Sequence, residues 1–332
     1  MRISVTDRCN LRCMYCMPPD GVPLISHDDI LRHEEIVRVV EAAARLGISH
    51  IRITGGEPLL RHGIVSLVRM IAQVPGISDV SMTTNGCLLG RYAEHLAEAG
   101  LKRVNVSMDT LRPERARDIT GHDCLAQVLQ GIEVAEACGL QPIKINTVVL
   151  RSINLDEIQD LAMLTRLRPW HVRFIELMPS WGAAASLDPG EVVPAEEIAE
   201  RLRGLGAKPV AANCNPGGAG PARYMRLPGS KGTLGIVGSE DGNPRGMCER
   251  CNRLRLSSDG KLYACLFSTV AVDLRDMMRS GASIDELCSA IRGAISNKPR
   301  YGRDPGSARN VRPGTGHGGA SGGRPALAEI GG

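Results

Sequence analysis

The segment Arg2-Ile3-Ser4-Val5-Thr6-Asp7-Arg8-Cys9-Asn10-Leu11-Arg12-Cys13-Met14-Tyr15-Cys16 runs a short strand, residues 2–6, straight into a loop carrying three cysteines. Outward from it, strand and helix patterns alternate. Residues 34–46 place Ile36, Val39, Val40 and Ala43 on one helical face, and Gly47 stops the helix. Strand patterns follow at 50–53, 79–83, 103–107, 143–150 and 171–176. Helical patterns at 64–73, 92–99, 125–138 and 156–165 separate them. Repeated βα units predict an α/β fold, a parallel sheet with helices on its outer face. Thr6, Thr54, Thr83, Ser107 and Glu176 put polar groups at strand C-terminal ends, which form the active-site mouth in a barrel. Six units fall short of the usual eight-stranded closure. The expected architecture is therefore a partial (β/α)6 TIM-like barrel over residues 1–178.

Beyond Met178 the pattern changes. Residues 179–190 and 213–221 read as loops, 195–205 as a helix, and 223–265 as short strands around further cysteines. Ser283 with Glu286 fits a capping box for a helix of about 283–296. Residues 179–300 thus form a C-terminal region of short strands and a helix. Residues 301–332 form a Gly-rich tail, expected to be flexible over 302–325 and ending in Gly331-Gly332.

Composition narrows the function. The 332 residues are 43% hydrophobic and 23% charged, ordinary for a globular protein with a sizeable core. No run reaches the ~18 apolar residues of a membrane span. Polar residues precede any apolar run at the N-terminus, so no signal peptide is read and a cytoplasmic location is expected. A net charge of +4 is too small for bulk attraction to nucleic acid, and 3% aromatic content argues against base-stacking platforms. Any anion site must come from local clustering of Arg and Lys.

Eleven cysteines are many for such a chain. Cys87, Cys124, Cys138, Cys214 and Cys288 are scattered and read mostly as small buried hydrophobes. The other six form two groups. Cys9-x3-Cys13-x2-Cys16 can hold three irons of a [4Fe–4S] cube, leaving the fourth iron open to another ligand. A zinc site completed by His27 or His33 is the alternative. Cys248-x2-Cys251-x13-Cys265 can hold a second such cube, or half of a zinc ribbon completed by Cys288 or Cys214.

The string Cys9-Asn10-Leu11-Arg12-Cys13-Met14-Tyr15-Cys16 resembles the signature of the radical S-adenosylmethionine (SAM) superfamily, and Gly55-Gly56-Glu57-Pro58 resembles its second motif. Further strings resemble one member family, the GTP 3′,8-cyclases of molybdenum-cofactor biosynthesis (the MoaA family). They are Cys251-Asn252-Arg253-Leu254-Arg255, Asp259-Gly260-Lys261-Leu262-Tyr263-Ala264-Cys265-Leu266-Phe267, Thr83-Thr84-Asn85-Gly86, Asn105-Val106-Ser107-Met108-Asp109, Arg173-Phe174-Ile175-Glu176-Leu177-Met178 and the terminal Gly-Gly. The resemblance covers residues 2 to about 296 and the last three.

It implies two [4Fe–4S] clusters and SAM as cofactors. Cys9, Cys13 and Cys16 would bind the SAM-cleaving cluster, and Cys248, Cys251 and Cys265 an auxiliary cluster facing guanine. Tyr15, Gly56, Ser107 and Met178 match positions that line SAM; Arg2, Arg52, Thr83, Lys144, Arg173, Arg253 and Arg255 match positions that contact GTP. Arg253, Arg255, Gly331 and Gly332 carry the catalytic expectation, the tail dipeptide reaching into the site. A triphosphate carries about four negative charges, which guanidinium forks bind bidentately. The implied reaction is hydrogen abstraction from ribose C3′ by a 5′-deoxyadenosyl radical, then closure of C3′ onto guanine C8. The implied partners are an electron donor of flavodoxin or ferredoxin type and cyclic pyranopterin monophosphate synthase downstream. No nucleic acid or membrane partner is implied, and a homodimer is left open. Two rivals stand beside this reading: a peptide-modifying dual-cluster radical SAM enzyme, and a zinc-binding interaction module.

Overall fold

The computed structural model describes residues 1–18, 21, 23–178, 182–210, 220, 222–239, 251–266, 268 and 270–298. Cys214, Cys248, the tail 301–332 with Gly331 and Gly332, and most of the 213–221 loop lie outside the described residues.

Six parallel strands form the centre of one sheet: β1 (Arg2–Ser4), β2 (His50–Thr54), β3 (Asp79–Thr84), β4 (Arg103–Ser107), β5 (Lys144–Val149) and β6 (His171–Glu176). The helices between them include α1 (His33–Arg45), α2 (Ile64–Ala72), α3 (Leu89–Glu98), α4 (Pro113–Thr120), α5 (Leu125–Ala137) and α6 (Ile158–Leu167). The helix α4 was not predicted. Its mean hydropathy is low and only Ala116 and Ile119 are buried, too little apolar periodicity to register in the sequence.

After α7 (Ala195–Gly204), the C-terminal region adds β7 (Lys208–Pro209), β8 (Arg223–Arg226), β9 (Leu234–Val237), β10 (Arg255–Leu256), β11 (Lys261–Tyr263) and β12 (Val272–Asp273). These do not form a separate sheet. The strand β10 pairs parallel with β1, and β9 pairs parallel with β6, so the C-terminal region extends both edges of the barrel sheet. The sheet runs from β12 to β7 without closing. Two helices follow, α8 (Leu274–Arg279) and α9 (Ile284–Ser296). The predicted capping box is present at α9: the Glu286 N–H donates to Ser283 Oγ, and the Ser283 N–H donates to the Glu286 carboxylate at 2.7 Å.

Period-two alternation sorts the strand residues. Ile3, Ile53, Met82, Val104, Ile145, Val172 and Phe174 join the hydrophobic core beneath the helices. Arg2, Arg52, Ser81, Asn105, Lys144 and Arg173 alternate with them and take the opposite, inner face. The register sets Arg255, Arg2, Arg52, Ser81 and Arg103 side by side across five strands. Among the described residues, no helix is long and apolar enough to cross a membrane.

Candidate active site

The strand C-terminal ends surround a cavity of about 280 Å³. The loop after β1 carries Cys9, Cys13, Tyr15 and Cys16 into it. That loop is pinned from two sides. A helical turn, with the Cys16 and Met17 N–H groups donating to the Cys13 carbonyl (2.9 and 3.0 Å), turns Cys13 and Cys16 together. Arg12 and Met14 donate N–H bonds to the carbonyls of Thr120 and Ile119 at the end of α4.

The turn after β2 supports the loop from below. The Gly56 N–H donates to the Thr6 carbonyl and the Glu57 N–H to the Arg8 carbonyl, both at 2.8 Å. A Cβ on Gly56 would lie 2.3 Å from the Arg8 oxygen, so only glycine allows this approach. Gly55 adds a φ of +151° and an equally tight contact with Thr6. Glu57 is fully buried, and burial pushes its pKa up to about 7. Its carboxylate accepts from Leu59 N–H, Thr84 Oγ1 and Asn85 N–H, so it joins the second strand end to the third.

Among the described residues, no histidine stands with the three thiols as a fourth ligand. His27 Nε2 instead sits 3.3 Å from Arg8, and the His33 ring lies against Gly63. Burial raises all three thiol pKa values, Cys16 to about 12, and mutual repulsion among the thiolates adds to the rise at Cys13 and Cys16. Such a donor set fits a cube, which takes one thiolate per iron and supplies the positive charge that compensates them. Tyr15 reaches across the cavity to Asp109 Oδ2 at 2.7 Å, while the Val148 N–H donates to Asp109 Oδ1. Burial lifts Asp109 to about 6. Gly56, Thr83, Ser107 and Met178 all line this cavity.

Its inner end is cationic. Arg2, Arg173, Arg253 and Arg255 line it. A second cavity, about 370 Å³, lies at the strand N-terminal ends and shares Arg2 and Arg253 with the first. Arg52 and Arg103 line this second cavity. Lys144 is buried and lines neither, but it is pressed by Arg173, Arg103 and Arg52. Burial, then these charges, push it down to about 6. Burial and neighbouring guanidiniums likewise lower Arg52, and burial with Arg253 lowers Arg255, each to about 9. Arginine stays charged by its high intrinsic basicity, so Lys144 is the group whose charge yields.

Sequence reasoning missed Arg103, Asp79, Asn105 and Asn146. Asp79 takes Arg103 in a bidentate pair at 2.5 Å. Asn105 Oδ1 accepts from Arg173 at 2.8 Å. The Asn146 Oδ1 and Arg173 Nε atoms are buried without a partner, polar groups facing a cavity with nothing to bond. Their signal was present, since each sits on the same period-two face as a predicted residue.

The second cysteine group is partly described. Cys251 and Cys265 both act on Arg255, which places them beside the inner wall. Burial raises the Cys251 pKa, but the Arg253 N–H and the ammonium of Lys298, 3.7 Å away, outweigh it and lower it. Cys288 is not a fourth ligand here: its thiol packs in the core and donates to the Ala42 carbonyl. Cys87, Cys124 and Cys138 pack against the same core.

Residues 3–165 match the family described as the Radical SAM superfamily, and residues 170–303 match Molybdenum Cofactor Synthesis C. The GTP 3′,8-cyclase of Pelotomaculum thermopropionicum is 49% identical over 300 residues, covering 90% of each chain. That of Moorella thermoacetica is 49% identical over 299 residues, again 90% of each. Among solved structures, Streptococcus suis SuiB bound to precursor peptide SuiA superposes with a TM-score of 0.60 at 14% identity. The match covers 88% of this chain and 66% of that one. SuiB bound to S-adenosylmethionine gives 0.58, with 88% and 67% covered. At such low identity these structures share the fold alone.

Proposed function

The chain belongs to the GTP 3′,8-cyclase family of the radical SAM superfamily, and from that premise we propose that it cyclises GTP to (8S)-3′,8-cyclo-7,8-dihydroguanosine 5′-triphosphate, an early step of molybdenum-cofactor biosynthesis. One observation carries the reading: the three-cysteine mouth and the arginine-lined interior are two ends of one cavity.

Cys9, Cys13 and Cys16 hold one [4Fe–4S] cluster, and Cys248, Cys251 and Cys265 a second. When bound, the clusters and SAM supply the electron and the 5′-deoxyadenosyl radical. The protein supplies orientation and shelter. Gly56, Tyr15, Ser107 and Met178 line the SAM end. Arg2, Arg52, Lys144 and Arg173 present charge to the triphosphate; Thr83 stands between the two ends on β3. Arg253 and Arg255 sit between the phosphate cations and the second cysteine group, so they hold the nucleotide at its middle. Anchoring both ends of GTP keeps C3′ near the radical and C8 near C3′, which makes both bond changes effectively intramolecular. The family resemblance implies a role in cyclisation for Gly331 and Gly332, which lie outside the described residues. Deleting them lowers cyclisation roughly 100-fold with both clusters retained; unchanged turnover refutes their role. The same reading calls for a flavodoxin- or ferredoxin-type electron donor, the downstream cyclic pyranopterin monophosphate synthase, and a cytoplasmic setting.

The test is anaerobic turnover with GTP, SAM and a reductant, together with iron counts. Cyclised nucleotide and 5′-deoxyadenosine, with about eight irons in the parent and about four after Cys248, Cys251 and Cys265 are changed to Ala, support it. SAM cleavage that GTP does not stimulate overturns it.

A further inference from the structure

We propose that Asn85 is a positioning residue for the SAM-cleaving cluster, donating an N–H bond to the Cys9 sulfur and so raising the reduction potential of that cluster. The inference rests on the assignment of Cys9 as a cluster ligand above.

Asn85 follows the end of β3, in the turn Asn85-Gly86, and its side chain is fixed in orientation. Its Oδ1 accepts from the Cys87 N–H at 3.1 Å, which forces Nδ2 to face the other way. There Nδ2 finds two acceptors for its two hydrogens: Asn10 Oδ1 at 2.9 Å and Cys9 Sγ at 3.9 Å. The backbone of Asn85 is held as well, its N–H donating to Glu57 Oε2 at 2.7 Å. Asn85 is thus tied to the glycine turn, to the cysteine loop and to the segment leading into α3. The Leu11 N–H donates to the same sulfur at 3.4 Å, so Cys9 receives two such bonds.

A bond to a cluster thiolate stabilises negative charge on sulfur. The reduced cluster carries one electron more than the oxidised one, so the bond favours reduction and raises the potential. Glu57, joined to the Asn85 backbone, helps hold the donor in place.

The experiment uses the reconstituted holoenzyme and follows the reduced-cluster EPR signal that SAM perturbs. In parent protein carrying 15N in asparagine side chains, pulsed EPR is expected to show a coupling to 15N and, in D2O, exchangeable deuterons at the cluster. Asn85→Leu keeps the number and branching of side-chain heavy atoms and removes the donor. It is expected to shift the midpoint to a more negative potential and to lose the 15N coupling, with iron per chain unchanged. Asn10→Ala leaves the donor and is expected to keep both. Absence of the 15N coupling in the parent overturns the proposal without any variant, as does an unchanged midpoint in an iron-replete Asn85→Leu protein. Full iron retention in Cys9→Ala instead refutes the ligand assignment on which the proposal stands.

Discussion

The mouth and the interior of the barrel are built on opposite terms. At the mouth the buried acids have partners: Glu57 takes three donors, and Asp109 takes Tyr15 and the Val148 N–H. In the interior, Arg255, Arg2 and Arg52 stand side by side, a like-charge row that weakens a sheet. Asp79, the acid that opposes them, is engaged by Arg103. The mouth is therefore cross-linked by hydrogen bonds between strand ends, whereas the interior gathers like charges that the surrounding core holds together and that suit an anion. A protein accepts such repulsion where binding an anion relieves it.

The largest effect that could break this contrast is expected at the mouth. Cys13→Ala should remove about four irons per chain and all SAM cleavage; iron analysis that finds the parent value would show the thiol is not a ligand. Next is Gly56→Ala. A Cβ 2.3 Å from the Arg8 oxygen must push the glycine turn off the cysteine loop. SAM cleavage should fall roughly 100-fold while iron is retained, if a displacement of about 1 Å is the cause. A rate near the parent's would mean the turn gives way without harm.

The interior is tested by Lys144→Met. Losing one charge-assisted bond of about 1.5–3 kcal/mol should weaken GTP binding roughly 10- to 100-fold, measured by calorimetry, with SAM binding unchanged. The pH dependence sharpens this. Burial and the neighbouring arginines push Lys144 down to about 6, and a phosphate beside it raises that value. GTP binding then takes up a proton, and affinity should fall as pH rises above about 6. Lys144→Met should lose that component of the slope, and an identical slope in both proteins would assign the proton elsewhere. The smallest effect is a control outside both regions. Ser283→Ala removes the α9 cap and should cost about 1 kcal/mol of stability by denaturant melt, leaving ligand affinities as they were.

Much of the barrel was legible because its strands and helices carry strong local periods. Predicted and observed bounds differ by one residue at each end of α1 and by one residue at the start of α9. The strands β9 and β10 were not placed so easily. Each has only two to four residues, and nothing local says that one edge of the barrel sheet receives β10 and the other β9. Site residues divided the same way. Cysteines and glycines with distinctive spacing stood out, while Arg103, Asn105 and Asn146 looked like ordinary strand residues until the register set Asn105 beside Lys144, Asn146 beside Arg173 and Arg103 one strand beyond Ser81 from Arg52.

By itself the sequence determined the βα alternation, the polar strand ends, the cysteine spacings and the family, because each is written in residues close together along the chain. Tertiary structure alone decided which side chains share the interior. That choice depends on strand order and register, contacts between segments up to about 250 positions apart, such as Arg2 with Arg255. It also decided that Lys144 is held near neutrality, since a pKa is set by burial and neighbouring charge and not by residue type.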